Sequence, residues 1–143
     1  MLSNSLSRLK SVKFLKFVPF FLIVALGAWA YASPIGSSPD DDFHLTSIWC
    51  AQPTTDQICG PGTTAATRTV PEILLQAPCY AYKPELSAAC LDKIGYSTEP
   101  TVLTDRGNFA GGYPPVFYTV MNLFAGDDVQ LSALIMRFVN IFL

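Results

Sequence analysis

An apolar run near the N-terminus is the feature that most constrains this chain. It extends from Phe14 to Ala32, about 19 residues, and is interrupted only by Lys16, whose long side chain can reach the membrane surface. A transmembrane helix needs roughly 20 such residues. Pro19 lies in the first turns, where a helix tolerates proline, and Trp29 lies near the far end, as in an aromatic belt. The run predicts a first transmembrane helix over residues 17–32.

The composition also favours a membrane protein. Half of the 143 residues are hydrophobic and 14% are charged, whereas a soluble domain has about 25% charged residues. The net charge of −2 provides no basic surface for nucleic acid, so no nucleic-acid partner is expected. The lipid bilayer is the expected partner, and the cell membrane is the expected location.

Charge is unevenly distributed along the chain. Every Asp and Glu lies at or beyond Asp40, and the basic residues at the N-terminus are Arg8, Lys10, Lys13 and Lys16. Because basic residues accumulate on the cytoplasmic side of membrane spans, residues 1–16 are predicted to be cytoplasmic. The alternative is a signal peptide, since Ala30-Tyr31-Ala32 fits the A-x-A cleavage pattern. Both interpretations export the residues that follow.

Four cysteines lie in the exported region, and in an oxidising compartment they indicate two disulfides with three possible connectivities. Pairing between sequence neighbours, Cys50 with Cys59 and Cys79 with Cys90, is preferred because short loops close at a lower entropic cost. Zinc binding is a weak alternative, because no C-x-x-C spacing is present and His44 is the only histidine. Residues 33–112 are therefore predicted to form an extracytoplasmic loop with two disulfides.

Proline, glycine and capping residues divide this loop into short elements. Residues 33–39 have the composition of a linker. Asp40 can cap a helix over about 41–49, because its carboxylate can accept from free backbone N–H groups. The other expected elements are an irregular stretch over 51–70, a short helix or strand over 71–76, a helix over 84–94 and an irregular stretch over 96–112.

Two apolar segments follow residue 112. Pro115 suits a helix start and Gly126 a helix stop, which gives about ten residues, too few to span a bilayer, so 113–126 is predicted to be an interfacial helix. Asp128 can cap the last segment, and residues 127–143 predict the start of a second transmembrane helix that continues beyond Leu143. The expected fold class is mainly α in a membrane, with short helices in the extracytoplasmic loop.

The run Asp40-Asp41-Asp42-Phe43-His44 is the main candidate site. On a helix, Asp40 and Asp41 lie four and three residues before His44, so the three share a face. Such a face can bind a divalent cation through Asp40 and Asp41, or it can hold a general base near a substrate hydroxyl. The alternative is a helix cap with acids favoured by the helix dipole and a histidine that faces solvent.

Arg137 lies about eight residues into the last apolar segment. An arginine at the centre of a membrane helix costs about 2.5–3.5 kcal/mol on insertion scales, unless it faces protein, water or a phosphate. The phosphate of a lipid carrier, or the Asp41 carboxylate, is a candidate partner of Arg137. The alternative is that Arg137 reaches the lipid headgroups at the outer membrane surface. Tyr113, Pro115 and Tyr118 can line a groove for a lipid carrier or anchor an interfacial helix.

These motifs, taken in order, resemble a known bacterial family. The segment Ser38 to His44 is similar to the P-D-E-x-x-H loop of the predicted membrane proteins called domain of unknown function 2142, with Asp41 at the position of the family's glutamate. The segment Tyr113 to Tyr118, followed by Gly126-Asp127-Asp128 and Arg137, looks like the second half of that pattern. It also resembles the H-P-P-L-Y-Y segment of GT-C glycosyltransferases, although Gly112-Tyr113 stands where those enzymes have histidine.

The resemblance covers residues 17–143 and implies an N-terminal part of a multi-spanning protein. The GT-C likeness implies a polyprenyl-phosphate sugar as donor at the outer membrane face. By the same likeness, Asp41 would be the base that deprotonates the acceptor, with Asp40 and His44 beside it. Such sites need further helices, so we expect the 143 residues alone to be inactive. A membrane protein without enzymatic activity and a secreted disulfide protein released after Ala32 are the alternative functions.

Overall fold

The computed structural model describes residues 14–51 and 58–143, so most of the predicted cytoplasmic stretch 1–16 lies outside the described residues. The α-helices are α1 (Val18–Ala32), α2 (Asp41–Trp49), α3 (Val116–Asn122) and α4 (Val129–Ile141). The strands are β1 (Gly60–Pro61), β2 (Arg68–Pro71) and β3 (Thr101–Thr104), and 3₁₀ helices cover Glu72–Leu74 and Ala88–Lys93.

The prediction of transmembrane helices is wrong for the described part of the chain. Within residues 14–51 and 58–143, no helix reaches 18 residues with enough apolar character to cross a membrane. Helix α1 has 15 residues, which extend about 22 Å, less than a hydrocarbon core of about 30 Å. Its first residue is Val18 because Pro19 has no N–H to donate to the preceding turn, so the apolar run does not form one continuous helix.

Helix α4 occupies the segment predicted to begin a second transmembrane helix, and it has 13 residues. Its start agrees with the sequence, because the Asp128 carboxylate accepts from the Leu131 N–H at 2.9 Å. Helix α4 packs against α1. Val129, Ala133 and Met136 on its inner face are buried, so α4 is an amphipathic helix at the edge of a core.

A three-stranded antiparallel sheet was missed by the sequence analysis, which predicted irregular structure over 51–70 and 96–112. The strand order is β1-β2-β3, with Gly60 opposite Thr69 and Thr69 opposite Leu103. The strands have two, four and four residues. Alternation between polar and apolar residues is hard to detect in strands this short. In 71–76, β2 ends at Pro71 and leads directly into a 3₁₀ turn.

The helix predicted over 84–94 is also wrong, because only Ala88–Lys93 is helical and its form is 3₁₀. The amide of Cys90 donates to the Ser87 carbonyl three residues earlier, and the amide of Ile94 donates to Leu91 in the same way. None of the residues in this turn is buried. A short helix in water depends on a packed apolar face, which this segment does not have.

The core lies between α2, α3, α4 and the first 3₁₀ turn. Leu74, Met121 and Val129 are fully buried there, and Trp49 is 3% exposed. The Asn122 side-chain amide of α3 donates to the Ile48 carbonyl at 2.8 Å. This bond ties α3 to the last turn of α2.

The two disulfides join Cys50 to Cys59 and Cys79 to Cys90. This is the pairing between sequence neighbours that the cysteine spacing favoured. The first links the end of α2 to the start of the sheet, and the second closes the segment between the two 3₁₀ turns. The second stabilises a segment that buries little apolar surface, since residues 82–89 are exposed.

Candidate functional site

The acidic run forms the first turn of α2. The Asp41 amide donates to the Ser38 carbonyl at 3.2 Å, and the Ser38 amide donates to the Asp41 carboxylate at 3.3 Å. Asp40 occupies the N-cap position, but its side chain makes no capping hydrogen bond, so that part of the helix-cap prediction is wrong. Each of the three carboxylates instead lies near an arginine.

Arg106 binds the second carboxylate of the helix and was missed by the sequence analysis. Its Nε and Nη2 donate to the two oxygens of Asp42 at 2.7 and 2.8 Å, and its Nη2 lies 3.7 Å from Asp40. The Thr46 hydroxyl donates to the Arg106 carbonyl, which fixes this loop against α2. Arg106 lies two residues after β3, so its pairing with Asp42 depends on a sheet that the sequence analysis did not predict.

The ion pair changes the ionisation of Asp42. The Arg106 guanidinium holds the pKa of the Asp42 carboxyl below its usual value, and the carboxylate raises the pKa of the guanidinium in return. The pair is partly solvated, since the side chain of Arg106 is 48% exposed and that of Asp42 is 30% exposed. Its contribution to the free energy of unfolding is therefore modest, about 0.2–1 kcal/mol.

We expect Arg106→Gln to reduce the acid sensitivity of the fold. A carboxyl whose pKa is lowered by folding stabilises above its unfolded pKa of about 3.9, and this stabilisation is lost as pH falls through the lower folded pKa. Denaturant unfolding between pH 6 and pH 2 should therefore show a shallower decline for Arg106→Gln than for the parent chain.

Arg68→Gln is the matched control for that comparison, because the Arg68 guanidinium donates to the carbonyls of Ala65 and Thr67. Its acid profile should follow that of the parent chain. Equal slopes for Arg106→Gln and the parent would contradict the assignment. Asp40 and Asp105 also face Arg106 electrostatically, so the measured difference includes their contributions.

Asp41 and Arg137 form an ion pair. Asp41 was one of the candidate partners that the sequence suggested for Arg137. The Arg137 Nη2 lies 3.6 Å from the Asp41 carboxylate and donates to the Pro34 carbonyl at 2.9 Å. Its Nη1 donates to the Ser33 carbonyl. One side chain of α4 therefore holds both the linker that follows α1 and the first turn of α2.

A cleft of about 320 Å³ opens beside this ion pair. Its polar lining includes Asp41, Arg137 and Asn140, and its apolar lining includes Leu26 and Trp29 from α1. The side chains of Asp41 and Arg137 are 21% and 24% exposed, so both are reachable from the cleft. A ligand with a charged head and an apolar tail could contact the polar and the apolar lining at the same time.

His44 and Tyr118 form a separate group outside the cleft. The Tyr118 hydroxyl lies 3.2 Å from His44 Nδ1, and the two rings stack with centroids 6.0 Å apart. Burial raises the pKa of the Tyr118 phenol. Tyr113 packs edge-on against Phe43, while Pro115 is exposed directly before α3.

The predicted site residues are thus divided among three places. Asp41 and Arg137 line the cleft, whereas His44, Tyr113 and Tyr118 lie together elsewhere and Asp40 faces Arg106. Among the described residues, no three His, Cys, Asp or Glu side chains are placed to hold a metal ion. The predicted cation site at Asp40 and Asp41 gains no further protein ligand, because the two carboxylates turn toward different arginines.

The comparison with family models decides what kind of protein this is. The model described as "Predicted membrane protein (DUF2142)" matches residues 21–143, nearly the whole chain. The chain belongs to this family. The match confirms the DUF2142 resemblance, and it includes the cleft, both disulfides and the acidic turn of α2. No curated protein and no solved structure matches the chain significantly.

The DUF2142 family consists of predicted membrane proteins. The two disulfides of this member indicate that the region from Cys50 to Cys90 is extracytoplasmic, because disulfides persist in oxidising compartments. The cytoplasmic location of the N-terminus stays a prediction. Asp41 of the cleft lies at the start of α2, the helix that ends next to Cys50.

Proposed function

We propose that this DUF2142 protein binds a polyprenyl-phosphate sugar at the outer membrane face and takes part in GT-C-like transfer of that sugar. The observation that carries the proposal is the cleft between α1 and α4, in which Asp41 and Arg137 lie beside apolar side chains. A polyprenyl phosphate has the same two parts, an anionic head and a hydrocarbon chain.

The charge arrangement supports phosphate binding at Arg137. Guanidinium groups hold phosphates through short, charge-assisted hydrogen bonds. In the present structure Arg137 donates through Nη1 and Nη2 to two carbonyls, and its guanidinium has five N–H donors in total. Nη2 also faces the Asp41 carboxylate at 3.6 Å, so we propose that an anion entering the cleft takes the donors that the carbonyls and Asp41 leave.

The same arrangement supports Asp41 as the base. In the proposed transfer, Asp41 accepts the proton of an acceptor hydroxyl while that oxygen forms a bond to the anomeric carbon of the donor sugar. The bond from that carbon to the phosphate oxygen breaks, and the electron pair leaves with the polyprenyl phosphate. Arg137 then neutralises the charge of the departing phosphate.

Exposed apolar side chains support contact with lipid. On α1, Phe20, Phe21 and Trp29 are more than half exposed, and so are Leu123 directly after α3 and Leu131 on α4. Contiguous apolar surface of this kind marks contact with a membrane or another protein. We propose that lipid covers these faces and that the donor reaches the cleft from that side.

Arg137→Gln tests donor binding directly. The full chain is placed in phospholipid nanodiscs and titrated with undecaprenyl phosphate, and the change in tryptophan emission is followed, since Trp29 lies in the cleft wall. Loss of a charge-assisted hydrogen bond should weaken binding about tenfold to hundredfold. Undecaprenol, which has no phosphate, should bind the parent chain and the variant equally.

Lys83→Gln is the charge-matched control, because Lys83 is exposed and lies outside the cleft. It should leave the affinity for undecaprenyl phosphate unchanged. Equal affinity of Arg137→Gln and the parent, or equal affinity of the parent for phosphate and alcohol, would contradict the proposal.

A function without catalysis is the second candidate, and the contacts of Arg137 favour it. This side chain joins the linker at Ser33 and Pro34 to α2 and α4, which is a structural role in itself. A purely structural arginine would change the free energy of unfolding and leave phosphate recognition unaffected. The undecaprenyl phosphate titration therefore distinguishes the two candidates.

A further inference from the structure

A second cavity, of about 300 Å³, lies on the other side of the Ser37-Ser38 turn. We call it the tyrosine groove, and it is lined by Ser37, Ser38, Asp42, Gln76, Tyr80 and Tyr82. Ser37 and Ser38 also line the Asp41–Arg137 cleft, so one turn of chain separates the two cavities. The neighbouring carboxylates Asp41 and Asp42 belong to different cavities.

The walls of the tyrosine groove are held close together. Gly36 has a φ of +76°, and a Cβ at this position would lie 2.0 Å from the Gln76 carbonyl oxygen. Only glycine permits this approach. On the far wall, the Ala81 amide donates to Pro78 at 2.8 Å and the Lys83 amide donates to Tyr80 at 3.1 Å. These turns, next to the Cys79–Cys90 disulfide, fix the segment that presents the tyrosines.

Tyr82 is unusual in both backbone and side chain. Its φ is +60°, in the left-handed region that bulky residues rarely adopt. Its side chain is 98% exposed at the edge of the groove. A strained aromatic residue with no packing partner in the described part of the chain suggests a binding role rather than a folding role.

We propose that the tyrosine groove binds a neutral saccharide. The faces of Tyr80 and Tyr82 can stack on the C–H faces of a sugar ring, because the π face of an aromatic ring is negative. Ser37, Ser38 and Gln76 provide hydroxyl and amide groups for the sugar hydroxyls. Both Asp42 oxygens accept from Arg106, and each has a lone pair left for a further donor.

The charge of the groove favours a neutral ligand. Asp42 is the charged residue in its lining, and Arg106 neutralises it. The Asp42 carboxylate would repel an anion, and it would attract a cation only weakly because it is already paired with Arg106. Because the groove adjoins the cleft, the bound saccharide would be the acceptor. This last assignment rests on the proposed function, whereas saccharide binding does not.

Saturation-transfer NMR on the full chain in phospholipid nanodiscs tests the inference. The probes are maltose, lactose and chitobiose, with glucuronate and choline as charged comparators, and no polyprenyl phosphate is added. At least one neutral disaccharide should bind. Tyr82→Ala should weaken its binding about fivefold to tenfold, and Tyr82→Phe should retain it. Tyr31→Ala removes an exposed tyrosine outside the groove and should have no effect.

Three outcomes would overturn the inference: no neutral disaccharide binds, a charged comparator binds instead, or Tyr82→Ala binds like the parent chain. Failure here is separable from failure of the proposed function. Tyr82→Ala should still bind undecaprenyl phosphate, and Arg137→Gln should still bind the disaccharide. If both variants lose both ligands, the two cavities are not separate sites and the assignment is wrong.

Discussion

Replacing Asp41 by asparagine is expected to lower sugar transfer from a polyprenyl-phosphate donor about 100-fold to 10,000-fold, the range for loss of a general base. Asparagine has nearly the same shape but accepts no proton at neutral pH. The Asp41 carboxylate lines the cleft 3.6 Å from Arg137, so it is placed to act on an acceptor beside the donor phosphate. Removal of the Asp41 carboxylate therefore tests directly whether Asp41 is the base.

The measurement uses membranes from cells that carry the substituted gene at its own locus. Polyprenyl-phosphate sugars labelled in the sugar are added, and the label transferred to lipid-free product is counted against membranes from a deletion strain. Asp41→Glu should retain most transfer, because glutamate keeps the carboxylate that accepts the proton. Asp92→Asn, at an exposed carboxylate outside the cleft, should retain all of it. Full transfer by Asp41→Asn would remove Asp41 from the mechanism.

Replacing Trp49 by alanine is expected to lower the free energy of unfolding by about 3–5 kcal/mol. Trp49 is 3% exposed in the core, and its Nε1 donates to the Gly126 carbonyl at 3.3 Å. The change would leave a cavity and an acceptor without its donor. Denaturant titration followed by far-ultraviolet circular dichroism should show the loss as an earlier midpoint.

Trp29 provides a control of the same residue type. It is 76% exposed on α1, so Trp29→Ala should change the free energy of unfolding by no more than about 0.5 kcal/mol. The two variants should also differ in fluorescence, since Trp49→Ala removes the buried emitter and Trp29→Ala the exposed one. Comparable losses of stability would show that the core is not where the structure places it.

The sequence predicted those elements whose signals are local. Helix α2 spans Asp41–Trp49 as expected, and α4 begins after the Asp128 cap. The sheet could not be predicted, because its strands have two to four residues and gain stability from pairing between Thr69 and Leu103, which are far apart in the chain. The predicted membrane helix failed because hydrophobicity alone does not show how Pro19 divides an apolar run.

The candidate site follows the same division. The pairing of Asp41 with Arg137 was foreseeable, because an arginine in an apolar helix needs a partner and few acids are available. The pairing of Asp42 with Arg106 was not, because the position of Arg106 depends on β3 and on the Thr46 contact. Spacing along a helix predicted that Asp41 and His44 share a face of α2, but it could not show that Asp41 pairs with Arg137 while His44 pairs with Tyr118.

The contacts of Arg137 with the linker have an electrostatic consequence for processing of the chain. Cleavage after Ala32 would turn the Ser33 amide into an ammonium group, in the same residue whose carbonyl accepts from the Arg137 guanidinium. Two positive charges would then share one short stretch of backbone, and α4 would lose the α1 surface it packs against. Cleavage at the A-x-A sequence would therefore separate α1 from α4 and place a new positive charge beside Arg137.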